Sequence, residues 1–394
     1  MTEHLARCGL EKADSHEADS FSIISGGQVV FQNTGGWLDS VRTVLRYGLW
    51  SLSRLEYLIA NLLNNFALIY PALDQGQGFE TVADILEEMS PVSKSGELSH
   101  EMIKLTKLSI EEKLLELGVS HELIGELATI ATKVNYNQFT DGLHGFVGSV
   151  SLAGIQGGLW RVKGGNKLIP RCLLEQSRAK LMLSTKIESV EADQAGSGRY
   201  NVTYYSTPDS AVRSSDFDKV VVAFPLTADK SELRLKGLAF PGRYQRTLAY
   251  IVEGTLAQLS GNDAETTNYF YIDQAVPISS ISLLTPVDFE AGESAPPGVY
   301  KIFSRIELSR TDLAEYFTEI RHFEVVDWLA YPDYSTYPGL GPMRLQENLY
   351  YVNSIEWAAS AMEMSALAAK NVANLIAGQS VGDGTMPSEK KTEL

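Results

Sequence analysis

Cysteine is almost missing: the chain of 394 residues has two, Cys8 and Cys172, too few for a disulfide-built scaffold and able either to pair or to stay as buried thiols. Histidine is scarce as well. None of the six (His4, His16, His100, His121, His144 and His322) stands at a metal-ligand or nucleophile–base spacing, and none follows a Gly-x-Ser-x-Gly elbow. No metal centre and no hydrolase triad is therefore expected. Long apolar runs are absent too; the most apolar stretch, 41–70, is interrupted by Arg42, Arg46, Arg54 and Glu56 and reads as an amphipathic helix, not a transmembrane span. Residues 1–19 are polar and charged, unlike a secretory signal. There is no Gly-x-Gly-x-x-Gly dinucleotide fingerprint, no internal repeat and no low-complexity tract. Basic charge is in deficit, and a net charge of -16 excludes nucleic acid, whose phosphates would repel the chain.

What is present centres on residues 157–225. Two glycine pairs, Gly157-Gly158 and Gly164-Gly165, bracket Trp160 and lead through Asn166 to Pro170, the expected entry of a helix over 171–179. Strands are predicted at 181–192 and 200–205. The run Val220-Val221-Val222-Ala223 reads as a strand buried on both faces and stopped by Pro225. Such a strand delivers bare backbone to a cleft. By pattern alone these are either the turn glycines and core strands of any α/β domain or the backbone of a cofactor site.

With 44% hydrophobic residues the chain can fill roughly two or three lobes. A hairpin is expected over 20–32 around Gly26-Gly27, then helices from Trp37, over 79–89, 99–117 and 120–134. Ser109 with Glu112 forms a capping box, Gly118 a stop and Ser120 an N-cap. Strands follow at 248–252, 269–272, 278–284 and 299–306, separated by loops such as Asn262-Asp263 and Pro296-Pro297-Gly298. A helix is expected at 308–320, an aromatic loop at Trp328, Tyr331-Pro332 and Tyr337-Pro338-Gly339, a strand at 349–352, and an alanine-rich helix opened by Glu356. His144 and Asp141 read as surface polar groups.

The segments Val134-Asn135-Tyr136-Asn137-Gln138, Phe146-Val147-Gly148-Ser149-Val150-Ser151-Leu152 and 157–168, with Glu356-Trp357-Ala358-Ala359-Ser360 and 368–373, resemble the prenylcysteine oxidase family, a flavin-dependent branch of the amine-oxidase-like fold. The resemblance runs from about Leu5 to Ile376. It implies an α+β, α/β fold, FAD-linked and two-domain, lacking the first Rossmann βαβ unit and carrying a helical and β-sheet substrate lobe. The implied layout is a cofactor-domain remnant (1–20), a substrate lobe of hairpin and helices (21–150), an FAD-domain segment (151–232), a substrate-domain sheet (233–327), a C-terminal FAD-domain segment (328–378) and a disordered tail (379–394). Residues 2–10 resemble a helix that lies after the fingerprint in the family, so an N-terminally truncated member is expected.

The resemblance also implies FAD as cofactor, met by Gly164, Gly165 and Asn166, by the strand at Ile187, by the turn at Ala223 and Pro225, and by Glu356, Trp357 and Ala358. The implied reaction is oxidative cleavage of the thioether of a farnesyl- or geranylgeranyl-cysteine with molecular oxygen, giving cysteine, a prenyl aldehyde and hydrogen peroxide. It needs no triad, and no catalytic base is assigned. The other expectation is an inactive truncated form that cannot hold FAD and at most binds a partner. A lysosomal or secretory location is implied, with peripheral membrane contact as a further expectation. Asn201-Val202-Thr203 is a sequon, and Lys391-Thr392-Glu393-Leu394 resembles an endoplasmic-reticulum retention signal or is a solvated tail.

Overall fold

The computed structural model describes residues 2–14, 20–92, 99–154, 160–193, 196–206, 211–259, 266–286 and 298–382. The Gly157-Gly158 pair, the Asn262-Asp263 and Pro296-Pro297 loop residues and the terminal Lys-Thr-Glu-Leu lie outside them. The chain forms two compact units, the first Met1–Asn61, Leu105–Leu181 and Tyr244–Ser335, the second Leu62–Lys104, Met182–Arg243 and Thr336–Leu394.

In chain order the elements are α1 (Thr2–Cys8), β1 (Lys12–Asp14), β2 (Phe21–Ser25), β3 (Gln28–Asn33), α2 (Trp37–Tyr47), α3 (Leu49–Phe66), α4 (Ile69–Asp74), α5 (Val82–Glu88) and α6 (Glu101–Lys104). Then come α7 (Ile110–Glu116), α8 (His121–Leu123), α9 (Thr129–Tyr136), α10 (Gly145–Ala153), β4 (Trp160–Val162) and α11 (Leu168–Ser177). Strands β5 (Thr185–Ala192), β6 (Tyr200–Ser206), β7 (Ala211–Phe217), β8 (Val220–Val222), β9 (Tyr244–Leu256), β10 (Asn268–Tyr271), β11 (Ile278–Leu283) and β12 (Val299–Ser304) follow. The chain closes with α12 (Arg310–Leu313), β13 (Phe317–Pro332), β14 (Arg344–Gln346), β15 (Leu349–Tyr351) and α13 (Met362–Gly382).

The first unit is built on a sheet ordered β13-β9-β12-β11-β10-β2-β3, antiparallel except where β10 runs parallel to β2. Its core is the apolar face of Tyr250, Tyr269, Ile281 and Ile302, all essentially inaccessible. The hairpin turns at Gly26-Gly27 as expected. Two expectations fail here. The helix foreseen at 308–320 is one short turn, α12, capped by Ser309 and Asp312; the residues after it, with Thr318, Ile320, Phe323, Val325 and Val326, form the sixteen-residue strand β13. Trp328 and Tyr331-Pro332 consequently lie in that strand, paired along β9, and not in a loop. The β-branched and aromatic content of the run suits a pleated surface, and the long partner strand decides it.

Local signals held better. Ser109 and Glu112 close a capping box on α7, Ser120 accepts from the Leu123 amide, and Thr81 caps α5. The helix foreseen over 120–134 contains a π-turn at Ile124–Ala128. Cys8 and Cys172 form a disulfide that ties α1 to α11.

The second unit holds a β5-β6-β7 meander and a small sheet ordered β14-β15-β8. Their shared core contains Val190, Tyr200, Val222, Leu226, Leu349 and Tyr351. α13 packs its Asn371 amide against the backbone of Phe79 at 2.7 and 2.9 Å. The helix runs to Gly382, so residues 379–382 are helical and not part of a disordered tail.

Candidate functional site

The second unit contains one parallel pairing among its described strands, β8 with β15, in the register Val220↔Leu349 and Val222↔Tyr351. In open α/β sheets ligands lie beyond the carboxyl ends of parallel strands, where the two chains part and leave backbone uncovered. Beyond β8 the chain turns through Ala223, exposed, and Pro225, half-buried; beyond β15 it winds through a 3₁₀ turn, Val352–Trp357, to the inaccessible Ala358 and Ala359. The Leu226 amide donates to the Tyr351 hydroxyl at 3.2 Å, which fixes one turn against the other. Burial pushes the Tyr351 hydroxyl up to about 12, so it stays protonated.

The structure thus brings Ala223, Pro225, Glu356, Trp357 and Ala358 into one neighbourhood. Ile187 lines a cavity of about 550 Å³ with Lys186, Asp229, Lys230, Leu233 and Phe224, the last of which lies between Ala223 and Pro225. Trp357 lies against Gly242, whose φ of 94° and absent side chain let it approach; a Cβ there would sit 2.4 Å from the indole.

Two expectations are corrected here. β8 is not buried on both faces: Val221 is 42% exposed, and the strand is the edge of its sheet. Glu356 does not open the alanine-rich helix: it lies in the 3₁₀ turn, and Glu363 is the acid in the first turn of α13. The Ala358 and Ala359 amides are not free for a ligand either, since both donate to the Ile355 carbonyl. For a flavin, what remains is the exposed backbone at 223–224, the tight alanine packing, and the Thr227 hydroxyl, buried without a partner at the same turn. An orphaned buried donor of this kind fits a polar ligand.

Gly164, Gly165 and Asn166 belong to the first unit. They make the turn from β4 to α11, with φ of 81° and 102° at the glycines, a conformation that side chains disfavour. The Gly165 amide donates to the Val162 carbonyl at 2.8 Å and the Asn166 side-chain oxygen accepts from the Val162 amide at 3.0 Å. α11 starts at Leu168, so Pro170 is inside its first turn.

Buried titratable groups in the first unit were missed by sequence reading. Lys133, 1% exposed, donates to the Tyr271 carbonyl and lies over the Phe139 ring, with Arg305 on the same ring at 5.2 Å. Burial, reinforced by Arg305, pushes its amine down to about 7. Glu126 accepts from Arg46 at 2.6 Å and from the Tyr47 hydroxyl at 2.8 Å. His144 is not a surface group: 7% exposed, it caps α10 by accepting from the Val147 amide and meets Tyr334 edge-on. Asn137 and Gln138, which carry part of the family resemblance, are bonded to Thr247, Ser279, Pro332 and Tyr334 of the sheet region. The one local signal was a charged residue among apolar neighbours, as at Lys133 between Thr132 and Val134.

The fold is similar to that of solved amine oxidases. It superposes on putrescine oxidase bound to putrescine with a TM-score of 0.54, at 13% identity and covering 95% of this chain and 85% of that one. For cyclohexylamine oxidase from Brevibacterium oxydans the TM-score is 0.52, at 13% identity, covering 96% and 85%. The particular family follows from sequence. Residues 31–386 match the prenylcysteine lyase family, and the chain belongs to it. It is 34% identical to farnesylcysteine lyase of Arabidopsis thaliana over 93% of this chain and 69% of that protein. Against prenylcysteine oxidase 1 of Bos taurus the identity is 30% over 90% of this chain and 71% of the relative. Among the described residues no helix is long and apolar enough to cross a membrane.

Proposed function

We propose that this chain is an FAD-dependent thioether oxidase acting on farnesyl- or geranylgeranyl-cysteine in the breakdown of prenylated proteins. The observation that carries the reading is family membership over residues 31–386, together with relatives named for prenylcysteine and farnesylcysteine. When bound, FAD supplies the two-electron oxidation of the carbon next to sulfur, after which water releases cysteine and a prenyl aldehyde and oxygen takes up the electrons as hydrogen peroxide.

The residues proposed to hold it are Ile187, Ala223, Pro225, Glu356, Trp357 and Ala358; Gly164, Gly165 and Asn166, whose turn satisfies its own polar groups at Val162, are left out of that set. The turn at Ala223 offers main-chain groups, the buried Ala358 and Ala359 allow close approach, and Trp357 excludes water from that side. The substrate is an amphiphile, which makes peripheral contact with a membrane part of the same reading. The Cys8–Cys172 disulfide supports a lysosomal or secretory location, since such bonds persist in oxidising compartments.

The test is to load the purified chain with FAD and incubate it with farnesylcysteine in detergent while following peroxide, free thiol and aldehyde. Equal amounts of all three support the proposal; flavin retained with no peroxide or thiol formed overturns it.

A further inference from the structure

The outer face of α2 and the start of α3 reverses the usual amphipathic arrangement. Leu38, Val41 and Leu45 recur at three and four residues on α2 and so form one stripe, and Leu49 opens α3 just past Gly48; all four face water, Leu45 at 80% and Leu49 at 70% exposure. Trp50 and Tyr57 extend the exposed apolar surface along α3. The polar residue that a surface helix would turn outward, Asp39, is buried instead, accepting from the Thr34 and Gly36 amides at 2.7 and 3.0 Å. A contiguous exposed apolar surface of this kind marks an interaction site.

Charge and aromatic placement indicate the occupant. Residues 37–66 carry three arginines (Arg42, Arg46, Arg54) against two acids (Asp39, Glu56), a net +1 within a chain of -16. Arg46 is held by Glu126 and Arg42 pairs with Asp39 at 3.1 Å; the exposed Arg42 side chain also borders a groove of about 530 Å³ with Val30, Phe31 and Leu45, and the Arg54 guanidinium lies 4.1 Å from the Trp50 ring. Exposed leucines with tryptophan, tyrosine and arginine beside them suit the boundary between lipid and water, where rings and guanidinium groups sit at the headgroups.

We propose that α2 and the first turns of α3 dock on an anionic lipid bilayer, with Leu45, Leu49 and Trp50 among the acyl chains and Arg42 and Arg54 against headgroup phosphates. The surface stands on its own exposure and charge; only the reason for docking, access to a membrane-partitioned prenyl chain, rests on the proposed function.

The experiment is sedimentation of the full chain with vesicles of phosphatidylcholine alone and of phosphatidylcholine mixed with phosphatidylserine, alongside tryptophan emission. The expected result is binding to the mixed vesicles with a blue shift, lowered about tenfold or more by Leu45→Asp with Leu49→Asp, and lowered a few-fold by Arg42→Gln, more at low salt than at high. Circular dichroism establishes that these surface variants stay folded. A wild-type chain that remains in the supernatant with both vesicle types overturns the proposal, as does a concentration-dependent dimer that the double variant dissolves. Peroxide formation from farnesylcysteine in detergent, measured in parallel, separates failure of the oxidase reading from failure of docking.

Discussion

The turn at Gly164–Asn166 and the strand ends at Ala223 and Ala358 are both small-residue segments, and they use smallness differently. In the first, the glycines supply backbone angles, and the Gly165 amide and the Asn166 side-chain oxygen are spent on Val162. In the second, small side chains clear space beyond a parallel strand pair, and the Thr227 hydroxyl stays unpartnered. A turn that satisfies its own polar groups is a finished piece of structure; a strand end with an orphaned donor has room for a ligand.

Four variants test that contrast, from the largest expected effect downward. Cys8→Ser with Cys172→Ser opens a link between residues 164 apart in sequence, in a region whose core is little more than Leu5, Val162 and Ile169. A loss of about 2–5 kcal/mol is expected in non-reducing denaturant titrations, and a variant as stable as the wild type would show that the turn stands without its staple. Lys133→Met probes the first unit through pH. Its amine is lowered from 10.5 to about 7, so between these values the unfolded chain binds more protons and stability rises with pH; below about 7 the full burial penalty is felt. The rise should approach about 1.4 kcal/mol per pH unit in the wild type and vanish in Lys133→Met, read from urea midpoints across that window.

Gly242→Ala attacks the second region by pushing a Cβ into Trp357. It should cost about 1–3 kcal/mol and reduce retained flavin, measured by visible absorbance after gel filtration. The smallest effect is expected for Asn166→Ala, about 1 kcal/mol from the lost Val162 bond, with flavin content unchanged. If instead Asn166→Ala empties the flavin while Gly242→Ala keeps it, the two regions have exchanged roles.

By itself the sequence determined what depends on neighbours a few residues away. The caps at Ser109 and Ser120, the turn at Gly26-Gly27 and the strands at β6, β11, β12 and β15 are set by short hydrogen bonds and local side-chain alternation. The end of β8 at the Ala223–Pro225 turn was also legible, since a strand stopped by proline announces an end. Tertiary structure alone decided the rest. β13 became a strand because β9 runs along it, Val221 is exposed in a run that reads as a buried strand, and Lys133 and His144 are buried because helices and sheet close over them. Whether Cys8 meets Cys172, and whether the leucine stripe of α2 points inward or out, depends on partners far away in the chain, and periodicity fixes which residues share a face without fixing what that face meets.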